Sequence, residues 1–566
     1  MSIDRIRRAA AEAAGSPPEL IPLEAPPSPE QGDVALSFFG AAKRADVPPP
    51  EMARAVAAAL EAVPGVAAAS AAGGYVNIRL GYDLLFGGLE KYLGPRPLAF
   101  PASGAGRRVM VEYFSPNTNK PLHIGHLRNV FVGDALSNLM SAFGYEVVRA
   151  NLYNDRGIHI SKAQLAYSKY GEGATPSSLG RKGDHFVGDF YVMFGKMAEQ
   201  NPDMDEEAQA LLRRWEAGDT QARAAWKRMR DWVVEGFGQT LGRLGVKPFD
   251  VIYWESEFWE KGVEVIDAGL EGGLFRREEG KAVVVDLPGG DSKPLLRADG
   301  TALYITQDLY LAVRKFEEFG PLEKSIYVVA SEQSDHFKAL FTILKRLGHE
   351  FADVCYHLGY GLILIRGGKL KSRQGITADA DQIFEILEDM SYGEVDKRHP
   401  GLPGEEKTER ARRIALAALK WDFLKISTHK NINFDVQSSL SLKGDTGPYL
   451  LYTYARIRSV LRKAGLDRLP EGGPEPPEVE TAERELCVML HLFPEYCARA
   501  LSTYNFSVLC AHIYNTAEKF NTYYERHRIL ETPPDVFAHR IRLSAAVASV
   551  LKSGLQLLGI DALEEV

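Results

Sequence analysis

Two histidines, His123 and His126, flank Ile124 and Gly125 in the stretch SPNTNKPLHIGHLRN, with Lys120 just upstream. Residues three apart on a helix share a face, so both imidazoles can point at one object. Three readings are open. A zinc ion needs at least one more well-placed His, Cys or carboxylate, and no cysteine lies nearby. Two structural histidines would not require the glycine. An ATP phosphate site accounts for the histidines, for the strand before them, and for Gly125, which removes a side chain where a flat ring could approach the backbone. A second basic cluster, GGKLKSRQG, carries Lys369, Lys371, Ser372 and Arg373. It is either another phosphate-binding loop or a solvated basic turn.

The elements around the motif decide what it can face. RRVMVEYF is an apolar run of strand length. The helix after it begins near His123, with Ile124, Leu127, Phe131, Leu136 and Leu139 at roughly helical spacing. YEVVRANLY reads as the next strand. Strand, loop, helix and strand form a βαβ unit and imply a parallel sheet. In such a sheet, ligands sit beyond the carboxyl ends of strands, beside the N-terminus of the next helix, where an anion is favoured. From about residue 158 to 290 the pattern is mostly helical and reads as an insertion. The sheet is expected to resume with TALYIT, SIYVVAS and YHLGYGLILI.

Residues 1–92 read as a small, alanine-rich module ending in the strand-like GGYVNIRL. Residues 93–106 are dense in Pro and Gly and read as a linker. KRHPGLPGEEK is a second hinge candidate, and beyond it the chain reads as helical apart from LPEGGPEPPEVE. A chain of 566 residues predicts several domains. It is 45% hydrophobic and 25% charged, the balance of a soluble globular protein. No apolar run approaches the roughly 18 residues of a membrane span, and the basic N-terminus lacks the apolar core of a signal peptide. The four cysteines form no CxxC pair, which predicts buried, reduced thiols in a cytosolic protein. Net charge is −8, yet Thr408 to Lys463 carries eleven Lys and Arg against four acids. That tract is either a polyanion surface or a solvated helix face.

HIGH after a first strand is the signature of class I aminoacyl-tRNA synthetases and related nucleotidyl transferases. The longer stretch FSPNTNKPLHIGHLRNVFVGDAL resembles arginyl-tRNA synthetases more specifically. So do YITQDLYLAVRKFE, IYVVASEQSDHFKALF and GDTGPYLLYTYARIRSVL, in the expected order, over a likeness running from about Val109 to the C-terminus. The resemblance implies an α/β Rossmann-like parallel-sheet catalytic domain over 107–400, with the helical insertion at about 158–290. A small α+β N-terminal domain (1–92) would contact the tRNA elbow. A helical stem-contact junction (401–444) would lead into an all-α anticodon-binding domain (445–566).

The implied reaction is ATP-dependent activation of L-arginine to arginyl-adenylate, with release of pyrophosphate, then transfer to the 3′-terminal adenosine of tRNA(Arg). ATP would enter with Mg2+, and no protein-bound structural metal is implied. Pro121, Leu122, His123, Ile124, Gly125 and His126 match the family's ATP site, with Lys369, Lys371, Ser372 and Arg373. The second loop departs from the usual Lys-Met-Ser-Lys-Ser, and Lys120 occupies the place of a compensating lysine. Lys120, Lys371, His123 and His126 would therefore carry the catalysis. Arginine needs a carboxylate placed for a forked pair of hydrogen bonds to its guanidinium. The resemblance assigns that to Asp308 beside Tyr304, with Glu112, Ser115, Pro116, Asn117, His126 and Gln333 completing the pocket. Asp445, Tyr449, Tyr452, Arg456 and Arg458 match a tRNA-contact segment in which aromatic faces and arginines interleave. The implied protein is a cytoplasmic monomer that does not engage membranes. The rival is a synthetase-like protein that binds tRNA without catalysis, which should have lost His123, His126 or the lysine loop.

Overall fold

Arg108–Glu112 (β1) is the central strand of a five-stranded, all-parallel sheet. Its partners are Glu146–Tyr153 (β2), Val251–Trp254 (β3), Lys324–Ala330 (β4) and Cys355–Tyr360 (β5), in the order β5-β4-β1-β2-β3. The chain builds outward from β1 through β2 to β3, then returns to the other side of β1 for β4 and β5. The reversal makes a crevice at the carboxyl ends of β1 and β4, where an open α/β sheet binds its ligand. The computed structural model describes residues 3–566 except 95–97, 99, 279–281, 289–291, 298–302, 366–378, 467–468, 471–475 and 477–478.

The helix expected after β1 is Ile124–Ala142 (α1). It is buried on nearly every face from Leu127 to Met140, which explains a sequence more uniformly apolar than amphipathic. The insertion holds two long helices, Gly183–Ala198 (α2) and Thr220–Arg243 (α3). Its run of helices is interrupted after α3 by a strand, and the helices Glu255–Phe258 and Gly262–Glu271 lie beyond that strand. The four residues of β3 then rejoin the main sheet, too short a run to show a period of its own. A small antiparallel sheet of Phe275–Arg277, Val283–Asp286 and Ser292–Leu296 comes next.

The described part of TALYIT, Leu303 to Thr306, is not a strand. Leu303 is extended and Tyr304 already opens the helix Tyr304–Phe319 (α4). A short apolar run does not distinguish a strand from the buried first turn of a helix. YHLGYGLILI divides into β5 and Ile363–Ile365, and the latter pairs with Ile432–Phe434. Ser334–Arg346 (α5) comes after β4, and Ala380–Arg398 (α6) after the strand Ile363–Ile365.

The chain divides into two compact units. One comprises Pro101–Asp389 and Thr428–Val436 and holds the parallel sheet. The other gathers Met1–Phe100, Met390–Ser427 and Gln437–Val566. In it, a four-stranded antiparallel sheet of Leu23–Glu24, Val34–Ser37, Tyr75–Leu80 and Val66–Ala72 belongs to the N-terminal segment, and the C-terminal segment is helical. Among the described residues no helix is long and apolar enough to cross a membrane.

Candidate active site

Between β1 and α1 the backbone is held in an unusual shape. Phe114 and Ser115 both have positive φ, 82° and 43°. A left-handed residue other than glycine costs on the order of 1–3 kcal/mol and persists only where its surroundings over-determine it. Three asparagines do so here. Asn129 on α1 accepts from the Phe114 amide and donates to the Val328 carbonyl on β4 at 2.8 Å. Asn151 on β2 accepts from the Ser115 amide at 3.0 Å, and Asn154 donates to the Ser115 carbonyl at 3.2 Å. The Asn154 amide also donates to the Pro116 carbonyl at 3.1 Å, and Asn117 forms a bridge with Asn154. Asn117 is thereby set on the surface beyond the carboxyl end of β1.

His123 is the N-cap of α1, and it forms a reciprocal capping box with His126. The Gly125 amide donates to His123 Nδ1 at 3.1 Å, and the His123 amide donates to His126 Nδ1 at 3.0 Å. Both Nδ1 atoms are therefore acceptors, which places the proton of each neutral ring on Nε2. Burial, reinforced by Lys120, lowers His123 to about 4. Burial, then His123 and Lys120, drives His126 well below the ordinary imidazole value. At neutral pH the pair thus offers two Nε2–H donors rather than two cations. The flat ring admitted by Gly125 is that of His123 itself. An added Cβ would lie 3.0 Å from its Cε1 and Nδ1. Leu122 and Ile124 are buried in the core, so only their backbone can meet a ligand. Lys120 and Pro121 are partly exposed.

On the other side of the crevice, Asp308 lies one turn into α4 and meets His336 of α5, with Oδ2 to Nε2 at 2.6 Å. Tyr304 on the same face of α4 is 70% exposed, and Gln333 is exposed at the turn after β4. Glu112 is differently placed. Its carboxylate pairs at 2.6 Å with Lys315, itself wholly buried against the Tyr327 ring. Two residues here were not singled out from the sequence. His336 lay within the motif SEQSDHF, three residues after Gln333. Glu255 comes directly after β3 and is buried. Burial raises its carboxyl to about 7 against the pull of Arg156, with Asp155 and Asp308 pushing the same way as burial. Asp155 and Asp308 are thus near enough to Glu255 to add to the effect of burial.

Lys369, Lys371, Ser372 and Arg373 lie outside the described residues. Immediately before α6, Asp379 bridges to His123, and the Ala380 amide donates to the Leu122 carbonyl at 3.0 Å. Asp381, in the first turn of α6, receives Lys182 Nζ at 2.6 Å, Thr240 Oγ1 at 3.1 Å and His185 Nε2 at 3.2 Å. Asp184, His185 and Asp381 bring ligand atoms within 4.8 Å of one another. Lys182 already supplies their positive charge, at 3.0 Å from Asp184 and 2.6 Å from Asp381.

The model of the catalytic domain of class I tRNA synthetases (R) matches residues 93–436. The arginyl-tRNA synthetase N-terminal domain matches 2–80, and the DALR anticodon-binding domain matches 450–566. The chain belongs to the arginyl-tRNA synthetase family. It is 40% identical to the arginine–tRNA ligase of Treponema denticola over 97% of this chain and 95% of that one. It is 38% identical to that of Phocaeicola vulgatus over 96% and 95%. In fold it is similar to the arginyl-tRNA synthetase of Thermus thermophilus, with a TM-score of 0.84 and 28% identity over 100% of both chains.

Directly before the stretch matched by the anticodon-binding domain, the sequence GDTGPY becomes the start of the helix Gly447–Lys463, capped by Thr446 Oγ1 on the Tyr449 amide at 3.3 Å, and that helix runs on into the matched stretch. Arg456 stacks between the rings of Tyr452, at 4.8 Å, and Tyr524, at 5.4 Å, and donates to Asn521 at 2.8 Å. Asn521 in turn donates to the Tyr449 hydroxyl at 2.9 Å. Tyr449, Tyr452 and Arg456 thus come together with Asn521 and Tyr524, two residues the sequence did not single out. Arg458 lies apart, paired with Glu564 at 2.6 Å, and Asp445 accepts from the Trp421 indole at 2.8 Å. Much of the basic tract is engaged the same way. Arg410 pairs with Glu406 and Glu565, and Lys420 donates to the Gly559 carbonyl. The tract is in good part internal cement rather than open surface.

Proposed function

We propose that the chain activates L-arginine with ATP, carried as its magnesium complex, and transfers it to the 3′-terminal adenosine of tRNA(Arg). The observation that supports this reading is that the start of α1 carries two neutral imidazoles with Nδ1 engaged, while Asp308 lies near enough to the buried Glu255 to raise it, a pair of carboxylates that we take as the arginine pocket. The guanidinium of arginine suits that pocket, because two carboxylates accept more hydrogen bonds from a planar fork than one can. Asp308 is its principal partner, Tyr304 and Gln333 border it, and Asn117 holds the substrate's α-amino or carboxylate group. His123 and His126 donate to charge building on the phosphates during in-line attack at the α-phosphate. Lys120 shares the pyrophosphate charge with Lys371. Such donors act by position and add no covalent step.

On the tRNA side, Tyr449, Tyr452 and Arg456 receive unstacked bases of the anticodon loop, and residues 1–92 contact the tRNA elbow. The protein acts as a cytoplasmic monomer. ATP–pyrophosphate exchange with each amino acid, run with and without tRNA, tests the specificity. Exchange is expected with arginine, and exchange with another amino acid in its place would sink the reading. Asp308→Asn should impair arginine-dependent exchange strongly while leaving tRNA affinity, read by filter binding, nearly unchanged.

A further inference from the structure

Lys120 to His123 form a short run with little secondary structure of its own, yet both ends are gripped by the helical insertion. At the first end, α2 crosses the chain at Gly188. A Cβ there would stand 2.5 Å from Pro121 Cδ and 3.5 Å from Lys120 Cα. A glycine inside a helix is destabilising relative to alanine, and here it permits a contact that no other residue allows. At Gly195, on the same helix, a Cβ would meet nothing within 4 Å.

The second end is held through α6. Leu122 and His123 lean on Asp379 and Ala380 through a backbone bridge and the 3.0 Å Ala380 amide bond. Asp379 also caps α6 by accepting from the Gln382 amide at 3.0 Å. Two residues on, Asp381 is fastened to the insertion by Lys182 just before α2, His185 on α2 and Thr240 on α3. Lys182 Nζ also donates to Thr240 Oγ1 at 2.6 Å. The two insertion helices are themselves locked, because Gly236 of α3 has no room for a Cβ against Asp184.

We infer that the insertion is the positioning element for the phosphate side of the active site, with Gly188 setting Lys120–Pro121 and the Lys182–His185–Thr240–Asp381 cluster setting Leu122–His123. Gly188 and Asp381 touch no reacting atom in this scheme. They act through the residues they seat. The inference rests on the phosphate roles proposed for Lys120 and His123.

The test is steady-state ATP–pyrophosphate exchange, with KM for ATP and for arginine measured separately. Gly188→Ala should raise KM for ATP or lower kcat by about 10-fold to 100-fold, the cost of displacing a catalytic group by around an ångström. KM for arginine, tRNA affinity and melting temperature should stay close to the parent's. Gly195→Ala should match the parent's kinetics and tRNA affinity and melt at the same temperature or slightly higher. Thr240→Val, nearly isosteric, should shift the same parameters in the same direction by a smaller factor, which covers the case in which Gly188→Ala does not fold. The inference is overturned if both Gly188→Ala and Thr240→Val retain parental ATP kinetics, or if they weaken ATP and arginine equally. Lys120→Ala separates the two layers. If it exchanges at full speed, the phosphate role of Lys120 is wrong. If it is slow while Gly188→Ala and Thr240→Val are normal, only the role of the insertion is wrong.

Discussion

At the scale of single residues, His123 holds two jobs on different atoms. Nδ1 caps α1, which leaves Nε2–H as the donor proposed for the phosphates. Asparagine is a good N-cap but is too short to supply a donor where Nε2 stands. His123→Asn should therefore keep the parent's melting temperature while losing roughly 10²–10³ in adenylate formation, the usual cost of one donor to developing charge. His123→Ala should lose both, with about 1 kcal/mol of stability gone as well. An asparagine variant as slow to unfold and as fast to exchange as the parent would show that Nε2 donates to nothing in the reaction. Glu255 supports a second prediction. Burial holds its carboxyl near 7, so it is about half protonated at neutral pH without substrate. A guanidinium arriving beside Asp308 favours the ionised form, and by linkage arginine must bind more tightly as Glu255 ionises. KM for arginine should fall as pH rises through about 7 and level off above it, and Glu255→Gln should flatten that slope. A slope unchanged in the variant would assign the titration elsewhere.

Elements turn these residues into a site, and they differ in how far a sequence reveals them. β1 and α1 were legible because each is local. An apolar run and a helical period each lie within a few residues of sequence. The acidic pocket was only half legible. Asp308 stood in a recognisable motif, but its partner His336 lies 28 positions on, and Glu255 sits after a four-residue strand with no pattern of its own. TALYIT misled for the same reason in reverse, since its apolar alternation belongs to the entry of α4. The Asp381 cluster left no local trace at all, because its lysine and carboxylate are 199 positions apart. Its energetics are nonetheless definite. Burial disfavours a charged Asp381, but hydrogen bonds from His185, Lys182 and Thr240 outweigh it and hold the carboxyl far below the usual carboxylate range. A carboxyl depressed by folding contributes stability above its unfolded value, near 4, and loses that contribution as pH falls towards the folded value. The Asp381 bond raises His185 against the effect of burial, with Asp379 and Asp184 adding to it. The His185 contribution is therefore present in acid and lost as pH rises through its elevated value. Asp381→Asn should cost about 3–5 kcal/mol at pH 7, the penalty for breaking a buried pair on one side. Denaturation at a series of pH values should show the gap from the parent narrowing below about pH 4. A gap constant across that range would mean that Asp381 holds the helices by packing alone.

For the molecule as a whole, the N-terminal hundred residues fold into one unit with the C-terminal helices, across nearly the full length of the chain. This too was beyond the reach of local pattern. The alternation of GGYVNIRL gave a strand correctly, but nothing nearby says which face will meet Thr481–Thr503. The contacts themselves are specific. Asp33, almost fully buried, accepts from the Leu80 amide at 2.7 Å and from Arg484 at 2.6 Å. His491 lies 2.7 Å from the Leu85 carbonyl, and the thiol of Cys487 donates to the same oxygen at 3.1 Å. Leu84, Leu85, Leu89 and Tyr92 are buried as well. Residues 1–92 thus have a structural part, because without them the helix Thr481–Thr503 loses both apolar cover and hydrogen-bond partners for buried groups. Each such buried group left unsatisfied costs about 1–3 kcal/mol. A chain lacking residues 1–92 should accordingly lose hydrogen-exchange protection along Thr481–Thr503, while the parallel-sheet unit keeps its protection. Arg484→Ala should reproduce part of the effect, since Asp33 retains the Leu80 amide and Arg79. Full protection of that helix in the truncated chain would reduce the N-terminal segment to a separate tRNA-binding module, and any loss of aminoacylation would then be a binding defect visible in KM for tRNA alone.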